Sequence, residues 1–356
     1  MTFRTIHKTD LAASQSPFRI VFSEAPSGEA RELEWVNRFL DLHCIRGLAP
    51  LSLRGYANTL LHFVRWWSRQ PGVDAAGFSA ERFTEATLVD YVRDQVNERP
   101  KPSPVSVNNR STMLRRLFRF HFQQDMPHAP YLVKPGWLRR SPLGYGRGRP
   151  VAAPADLKLK VPQRVMVPLQ AEQVARFWRS FHTARDLAIV ALMLLNGLRS
   201  REVLTLRLED LLLSEAQARV RGKGGRVRLL PLPPETIRIL QCWLKTERPL
   251  TNSPEVFVSL KGRARGKPMT PAGLRSLFRH HRAISGVKEA NPHRFRHTFG
   301  SDMIRAGVSL PALMRLMGHS HMQTTLIYIQ LTPQDVFAEY ARAVARIARL
   351  EQPPLP

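Results

Sequence analysis

The stretch ARVRGKGGRVRLLPL, residues 218–232, decides the fold class of this chain. On both sides of its centre, arginines alternate with apolar residues, which is the period of a β-strand that buries one face. The glycines of Gly222-Lys-Gly-Gly225 suit the tight turn of a hairpin. The pattern predicts a β-hairpin with Lys223 at its tip. Because helical patterns lie before and after it, the sequence predicts a mostly α-helical chain with a small β-hairpin or sheet.

The residues around the hairpin show the three-to-four-residue period of amphipathic helices. After residue 168, this period occupies segments 170–180, 184–196, 235–246, 271–284, 293–306 and 309–317. Together with the hairpin, these segments predict an α+β domain over residues 169–356. Near its end, residues 335–350 carry apolar side chains along one helical face, so a C-terminal helix is expected there.

The first half of the chain shows helical periods only. Segments 32–46, 52–67, 87–96 and 107–122 predict a small helical bundle, which we assign to a domain over residues 29–135. Residues 1–28 show no sustained period, and we expect a flexible N-terminal arm. Residues 136–168 are rich in proline, glycine and arginine, and this composition predicts a basic, extended linker between two domains. A length of 356 residues allows two domains, each with its own core.

The charge of the chain indicates a polyanionic partner. Lys and Arg number 54 against 28 Asp and Glu, a formal net charge of +26, and 44 of the 54 are arginine. Arginine binds phosphate through two parallel hydrogen bonds, so DNA is the expected partner. A membrane surface also attracts positive charge, but no basic amphipathic anchor helix is evident. The candidate DNA contacts are Arg110, Arg115, Arg116 and Arg119 in segment 107–122 and Arg139, Arg140, Arg147 and Arg149 in the linker.

Those arginines also have plainer interpretations. The ones in segment 107–122 could form a solvated helix face, and the ones in the linker could belong to an ordinary surface loop.

The chain has two cysteines, in no metal or redox spacing, which suits a reducing compartment. Its longest apolar run, residues 187–195, is about half of the ~20 residues that a bilayer crossing needs. The start of the sequence lacks the apolar region of a signal peptide. We expect a soluble, cytoplasmic protein that does not associate with a membrane.

Two segments of the second half pair basic side chains with elements that could present them. In Asn196-Gly-Leu-Arg-Ser-Arg-Glu202, the spacing places Arg199 and Glu202 on one face of a helix start. The carboxylate could hold a network around the guanidinium, or the two could form an ordinary surface ion pair. Lys223 at the hairpin tip is either solvent-exposed or able to bring its ammonium to a phosphate oxygen or a leaving group.

Two later segments contribute imidazoles and a tyrosine. His293 and His297 stand four residues apart, as in metalloprotease helices, but no Glu lies between them and two arginines there would repel a dication. We therefore predict no metal; Arg296 flanked by imidazoles suits an oxyanion better. His319 follows a glycine, and Tyr328, one of six tyrosines, would by itself be interpreted as a core aromatic.

In this order, the segments resemble the tyrosine recombinase (phage integrase) family. The resemblance rests on a G-L-R-x-x-E box at 197–202, a lysine in a β-hairpin turn, an H-x-[L/F]-R-H box at 293–297 and an L-x-G-H box at 316–319 followed by Tyr328. It is specific over about residues 170–335. Over residues 30–135 it is architectural only and implies the family's helical, SAM-like core-binding domain.

The resemblance implies a role for each residue. Tyr328 would be the nucleophile, Arg199 and Arg296 would clamp the phosphate oxygens, and His319 would donate to the same oxygens. His293 would accept the tyrosine proton or hold the network, and Lys223 would protonate the leaving 5′ oxygen. Glu202 and His297 would support the site. No metal, ATP or other cofactor is expected.

The resemblance also implies a function. The chain would be a site-specific recombinase that integrates, excises or resolves DNA. A mobile element is the expected setting, and a chromosome-dimer resolvase is the alternative. Its partners would be double-stranded DNA with specific sites, further copies of itself in a tetramer on synapsed DNA, and an accessory recombinase or DNA-bending protein. The helix at 335–350 would dock on a neighbouring subunit or pack on its own domain. The alternatives are a type IB topoisomerase-like nicking-closing enzyme and a non-catalytic DNA-binding regulator.

Overall fold

The chain forms two compact units, Met1–Gln163 and Arg164–Pro356, in the computed structural model. The division falls inside the predicted linker 136–168. The structure describes residues 2–24, 29–71, 73, 79–123, 158–162, 167–319, 325, 340–341 and 344–345. Its described elements are helical in the main, with two small antiparallel sheets, so the predicted fold class is confirmed. No described helix is long and apolar enough to cross a membrane.

The first unit contains the four predicted helices. They are α1 Glu34–Ile45, α2 Pro50–Trp67, α3 Glu85–Asn97 and α4 Pro104–Phe122. Helix α4 begins where the sequence favours it, because Ser103 accepts a hydrogen bond from the Ser106 amide at 3.2 Å and proline occupies the first helical turn. Large side chains such as Phe63 and Tyr91 are fully buried between these helices.

The prediction of a flexible arm over residues 1–28 is wrong for the residues described there. Strands β1 Thr2–His7, β2 Phe18–Ser23 and β3 Arg31–Glu32 form an antiparallel sheet in that order. Phe3 and Ile20 of this sheet belong to the same core as the helices. Strands β1 and β2 lack the regular apolar–polar alternation of the hairpin at 218–232, so the sequence shows no strand period there. They are stabilised by their pairing, by burial against the helices and by Arg19, which forms ion pairs with Glu32 on β3 and Asp41 on α1. The predicted helical bundle is therefore a mixed α/β unit.

The described ends of the predicted linker pack on the two units. Leu159 lies against the core of the first unit, and its amide and carbonyl both bond the side chain of Asn108, at 2.8 and 2.9 Å. Leu169, just after the linker, is buried in the second unit, where its amide donates to Thr298 Oγ1 at 2.9 Å. Arg139, Arg140, Arg147 and Arg149 lie outside the described residues.

The second unit is built around a buried helix. Every residue of α6 from Ala188 to Met193 is fully buried, because other helices pack on it from several sides. The helices are α5 Ala171–Arg179, α6 Ala184–Leu194, α7 Ser200–Leu204, α8 Pro234–Cys242, α9 Pro271–Ser285, α10 Pro292–Arg305 and α11 Leu310–Met317. Of the predicted helix 335–350, four residues are described, at 340–341 and 344–345, and all four are helical.

The predicted β-hairpin is confirmed. Strand β5 Gln217–Arg221 pairs with β6 Val227–Pro231, and a short strand β4 Leu211–Leu212 adds an edge that the sequence did not predict. The Gly222 amide closes the turn on the Arg226 carbonyl at 2.7 Å. Gly224 has a φ of 76°, which glycine adopts without strain.

Gly197, between α6 and α7, is expected to tolerate no side chain. Its φ is +65°, and a Cβ atom there would lie 2.4 Å from Cδ1 of the buried ring of Phe299. Backbone strain and overpacking together should lower the free energy of unfolding of Gly197→Ala by about 2–4 kcal/mol. Gly286→Ala is the matched control, because Gly286 has a φ of +69° with nothing within 4 Å. If urea denaturation shows the same loss in the free energy of unfolding for both variants, the contact with Phe299 does not have the predicted role.

Candidate active site

Arg199 pairs with the buried Glu202 at the start of α7. Arg199 is the residue before the helix, and its amide donates to Glu202 Oε2 at 2.9 Å, which satisfies one of the helix's first amides. Arg199 Nη1 also donates to Glu202 Oε1 at 2.8 Å. The Glu202 side chain is 4% exposed. The structure therefore supports the interpretation in which the Glu202 carboxylate holds a network of guanidiniums, and not the interpretation as an ordinary surface ion pair.

Arg228, on β6, is a site residue that the sequence interpretation missed. Its Nη1 and Nη2 donate to the two carboxylate oxygens of Glu202, each at 3.0 Å, and its Nε donates to the Leu316 carbonyl at 2.9 Å. A signal was present in the hairpin, because residues two apart on a strand share a face. Leu230 is 1% exposed, so the strand's alternation places Arg228 on the inward face as well.

Arg296, on α10, lies at the centre of the cluster and is 4% exposed. Its Nη1 donates to the Gly197 carbonyl and stands 3.7 Å from Glu202 Oε2. Its Nη2 donates to the Met317 carbonyl at 2.6 Å and to His319 Nε2 at 2.9 Å. The loop before α7, the last residue of α11 and His319, two residues beyond it, therefore all contact this guanidinium.

His319 is held as a neutral ring. A guanidinium can only donate, so His319 Nε2 accepts from Arg296 and the ring proton lies on Nδ1, which donates to Thr325 Oγ1 at 2.8 Å. Burial, together with the charges of Arg296, Arg199 and Arg228, lowers the pKa of His319 to about 4. The expected donor to phosphate is thus an acceptor in this structure. Thr325, fully buried, is a second site residue that the sequence interpretation missed.

The two histidines of α10 differ in their surroundings. His293 lies in the first turn of the helix, where partial burial of its ring and the charges of Arg296, Arg294 and Arg199 lower its pKa. His297 is 1% exposed, and its Nδ1 is 3.4 Å from Ser301 Oγ. Across the described ranges, no group of three or more His, Cys, Asp or Glu side chains is placed to hold a metal ion.

Two predicted catalytic residues, Lys223 and Tyr328, lie partly or wholly outside the described residues. Lys223 begins the turn between β5 and β6, and its side chain lies outside the described part of the chain. Tyr328 also lies outside the described residues. Of the predicted catalytic and supporting residues, the structure brings together Arg199, Glu202, Arg296 and His319.

The site is electropositive. Three guanidiniums, those of Arg199, Arg228 and Arg296, surround the single carboxylate of Glu202. Burial raises the pKa of Glu202, but the hydrogen bonds and charge of Arg228, the Arg199 amide and the charge of Arg296 outweigh burial and leave this pKa below its ordinary value. A carboxylate that stays ionised among three cations leaves a net positive charge, which suits an anionic ligand such as a phosphodiester.

Known proteins share this sequence pattern and fold. Residues 165–335 match the model of the phage integrase family. The tyrosine recombinase XerC of Pseudomonas aeruginosa is 32% identical over 228 residues, which cover 62% of this chain and 70% of that protein. The chain belongs to the tyrosine recombinase family. It is a site-specific DNA recombinase, as the resemblance of its motifs implied.

Two further likenesses extend along most of this tyrosine recombinase. The tyrosine recombinase XerD of Xanthomonas campestris pv. campestris is 27% identical over 343 residues, which cover 93% of the chain and 98% of that protein. The structure of the Tn1549 transposon integrase in complex with transposon right end DNA has a TM-score of 0.62 at 19% identity, over 87% of this chain and 99% of that one. The second likeness shows a shared fold.

The predicted DNA contacts of the first unit lie on α4. Arg116 and Arg119 are exposed, whereas Arg110 and Arg115 are partly buried. Arg110 donates to Gln95 Oε1 at 2.8 Å, and Arg116 donates to the Tyr56 hydroxyl at 2.9 Å. The exposed guanidiniums are the ones that could reach phosphate without leaving the core. DNA binding by these four arginines remains a prediction.

The low pKa of His319 should make this recombinase sensitive to acid. A folded-state pKa of about 4, below the ordinary 6.5, means that the unfolded chain binds more protons between these values. The stability contributed by neutral His319 is therefore complete above pH 6.5 and is lost as the pH falls towards 4. His319→Gln keeps an acceptor for Arg296 and cannot titrate. Its melting temperature should fall less between pH 7 and pH 5 than that of the unaltered protein; equal falls in calorimetry would contradict this assignment.

Proposed function

We propose that this tyrosine recombinase cleaves and rejoins double-stranded DNA at specific sites through a 3′-phosphotyrosyl intermediate on Tyr328. The observation that carries the proposal is the convergence of Arg199 and Arg296 on Glu202 and on the backbone beside His319. These residues come from three separate elements and meet at one electropositive place. Fixed guanidiniums of this kind stabilise the negative charge that develops on a phosphate under attack.

The proposed cleavage step balances without an outside reactant. The Tyr328 hydroxyl oxygen attacks phosphorus and gives its proton to His293. The bond from phosphorus to the 5′ oxygen breaks, its electron pair stays on that oxygen, and Lys223 supplies the proton. A free 5′ hydroxyl from another strand then reverses these transfers and rejoins the DNA. The covalent intermediate conserves the energy of the bond, so the reaction as proposed uses neither ATP nor a metal.

The proposal gives His319 a role that begins on binding. In the structure its Nε2 accepts from Arg296. A phosphodiester beside Arg296 would offer that guanidinium a charged acceptor in place of the imidazole. Its negative charge would also raise the pKa of His319, and the protonated ring could then donate from Nε2 to a phosphate oxygen.

DNA binding is proposed to rest on phosphate contacts, with Arg110, Arg115, Arg116, Arg119 and the four linker arginines as candidates. Affinity should then fall steeply with salt. Four copies are proposed to act on two synapsed duplexes, with the helix at 335–350 as a candidate contact between subunits and with an accessory recombinase or DNA-bending protein as a further partner. A mobile element is the proposed setting.

Covalent capture tests the chemistry and the setting together. The protein is incubated with genomic DNA of its source in EDTA without ATP and quenched in SDS, and the DNA that stays attached to protein is sequenced. Attached DNA should appear with the unaltered protein and disappear with Tyr328→Phe. Tyr340→Phe is the matched control, because Tyr340 is a 66% exposed tyrosine. Attachment that survives Tyr328→Phe, or that is absent from every sample, would contradict the proposed nucleophile.

A second assay separates strand exchange from nicking and closing. Two labelled duplexes that carry the captured sequence are mixed with the protein. Recombinant joints between the labels support the proposal. Relaxation of supercoiled DNA with no joints would support a topoisomerase-like activity, and salt-sensitive binding with neither product would support a regulator.

A further inference from the structure

We propose that Arg228 is a positioning residue for Lys223. In this inference, Arg228 holds the hairpin turn at a set distance from the arginine cluster, and this distance places the Lys223 ammonium at the leaving 5′ oxygen. The inference rests on the proposed function, in which Lys223 is the general acid.

On the hairpin side, Arg228 stands close to the turn that carries Lys223. It pairs with Val220 across the two strands, and the next pair is the last before the turn. The Gly222 amide then closes the turn on the Arg226 carbonyl at 2.7 Å. Because the two strands are paired up to the last residues before the turn, we expect a displacement of Arg228 to displace the turn and the Lys223 backbone with it.

On the cluster side, Arg228 is directed at the protein and not at a ligand. All three of its guanidinium nitrogens donate, two to Glu202 at 3.0 Å and one to the Leu316 carbonyl at 2.9 Å. Its side chain is 14% exposed. Two parallel bonds to a carboxylate define an orientation as well as a distance, which a single ammonium cannot do.

Two glycines show how closely the backbone packs on this ion pair. A Cβ atom at Gly222, the residue before Lys223, would lie 3.8 Å from Glu202 Oε1 and 3.9 Å from Arg228 Nη1. A Cβ atom at Gly318, the residue before His319, would lie 2.8 Å from Arg228 Nη1. The guanidinium of Arg228 therefore lies against the residue that precedes each of two proposed catalytic groups.

A change of leaving group separates positioning of Lys223 from mere stabilisation of the fold. A DNA substrate with sulfur in place of the bridging 5′ oxygen releases a thiol, whose pKa is about 8.5, and needs no general acid. Loss of the acid should slow cleavage of ordinary DNA by about 10²–10⁴-fold and leave the sulfur substrate nearly unaffected. Damage to the phosphate clamp should slow cleavage of both substrates.

The test measures single-turnover cleavage of both substrates at saturating protein. Arg228→Met should slow cleavage of ordinary DNA by about a hundredfold, as expected when a reacting group is misplaced by about 1 Å. It should cleave the sulfur substrate nearly as fast as the unaltered protein does. Arg228→Lys, which keeps a charge beside Glu202, should show the same pattern with a smaller defect. Arg219→Met is the matched control, because Arg219 is a 43% exposed arginine on β5.

The results can overturn the role of Arg228 separately from the proposed function on which it rests. If the sulfur substrate rescues Lys223→Ala but neither Arg228 variant, Arg228 acts on the fold or the clamp, and the inference is overturned while the proposed function stands. If Arg228→Met fails to fold, Arg228→Lys decides by the same comparison. If the sulfur substrate does not rescue Lys223→Ala, Lys223 is not the acid, and both the assignment and the inference fail. Rescue of both residues, with Arg228→Met adding no further defect to Lys223→Ala, supports positioning.

Discussion

Arg296→Ala is expected to slow DNA cleavage by about 10²–10³-fold, the loss that follows removal of one preorganised donor to a developing oxyanion. Arg296 is 4% exposed and is held by the carbonyls of Gly197 and Met317 and by His319. Its guanidinium is thus held in a fixed orientation by the protein itself. The loss should appear in the rate of formation of the covalent complex.

Binding to DNA should change much less than cleavage in this variant. One charge out of a net +26 is lost, and contacts to phosphate are expected to be spread over both units. Arg305→Ala is the matched control, because Arg305 lies at the end of the same helix, 64% exposed and paired with Asp302. Arg296→Lys should recover little of the rate, since a lysine cannot fork between two acceptors. A cleavage rate of Arg296→Ala close to that of the control would contradict the proposed clamp.

Glu202→Gln is expected to lower the free energy of unfolding by about 3–5 kcal/mol, the cost of removing one partner from a buried charge pair. The amide keeps the shape of the side chain but turns one acceptor into a donor that faces guanidinium donors. Arg199, Arg228 and Arg296 would then stand together around a neutral group. Cleavage should fall as well, because the carboxylate orients both clamp arginines and, through Arg228, the strand that follows the hairpin turn.

Urea denaturation of the full chain measures the change in the free energy of unfolding. Glu235→Gln serves as the control, since Glu235 is 49% exposed and forms a surface pair with Arg238 on α8. Exposed pairs of this kind contribute about 0–1 kcal/mol, so the control should unfold nearly as the unaltered protein does. If Glu202→Gln is as stable as Glu235→Gln, the Glu202 carboxylate does not stabilise the three guanidiniums, and the role given to it is wrong.

The family's sequence motifs were recognisable because each lies within a short window. The G-L-R-x-x-E box already contains the pair of Arg199 and Glu202, and the helix start that joins them needs only local hydrogen bonds. The same holds for the helices and for the hairpin, whose periods follow from burial of one face. Arg228 was missed because its partner Glu202 lies 26 residues away, at a distance that no periodic pattern reports.

The sequence by itself determined the family, the helix and strand periods and the residue types that the chemistry needs, since these are properties of neighbouring residues. Only the tertiary structure decided that residues 2–23 contain a pair of strands, that Arg228 joins the site, and that His319 is an acceptor. The physical reason is the same in each case. A strand without regular alternation, a buried charge and an imidazole tautomer are each set by partners that only folding brings within hydrogen-bond distance.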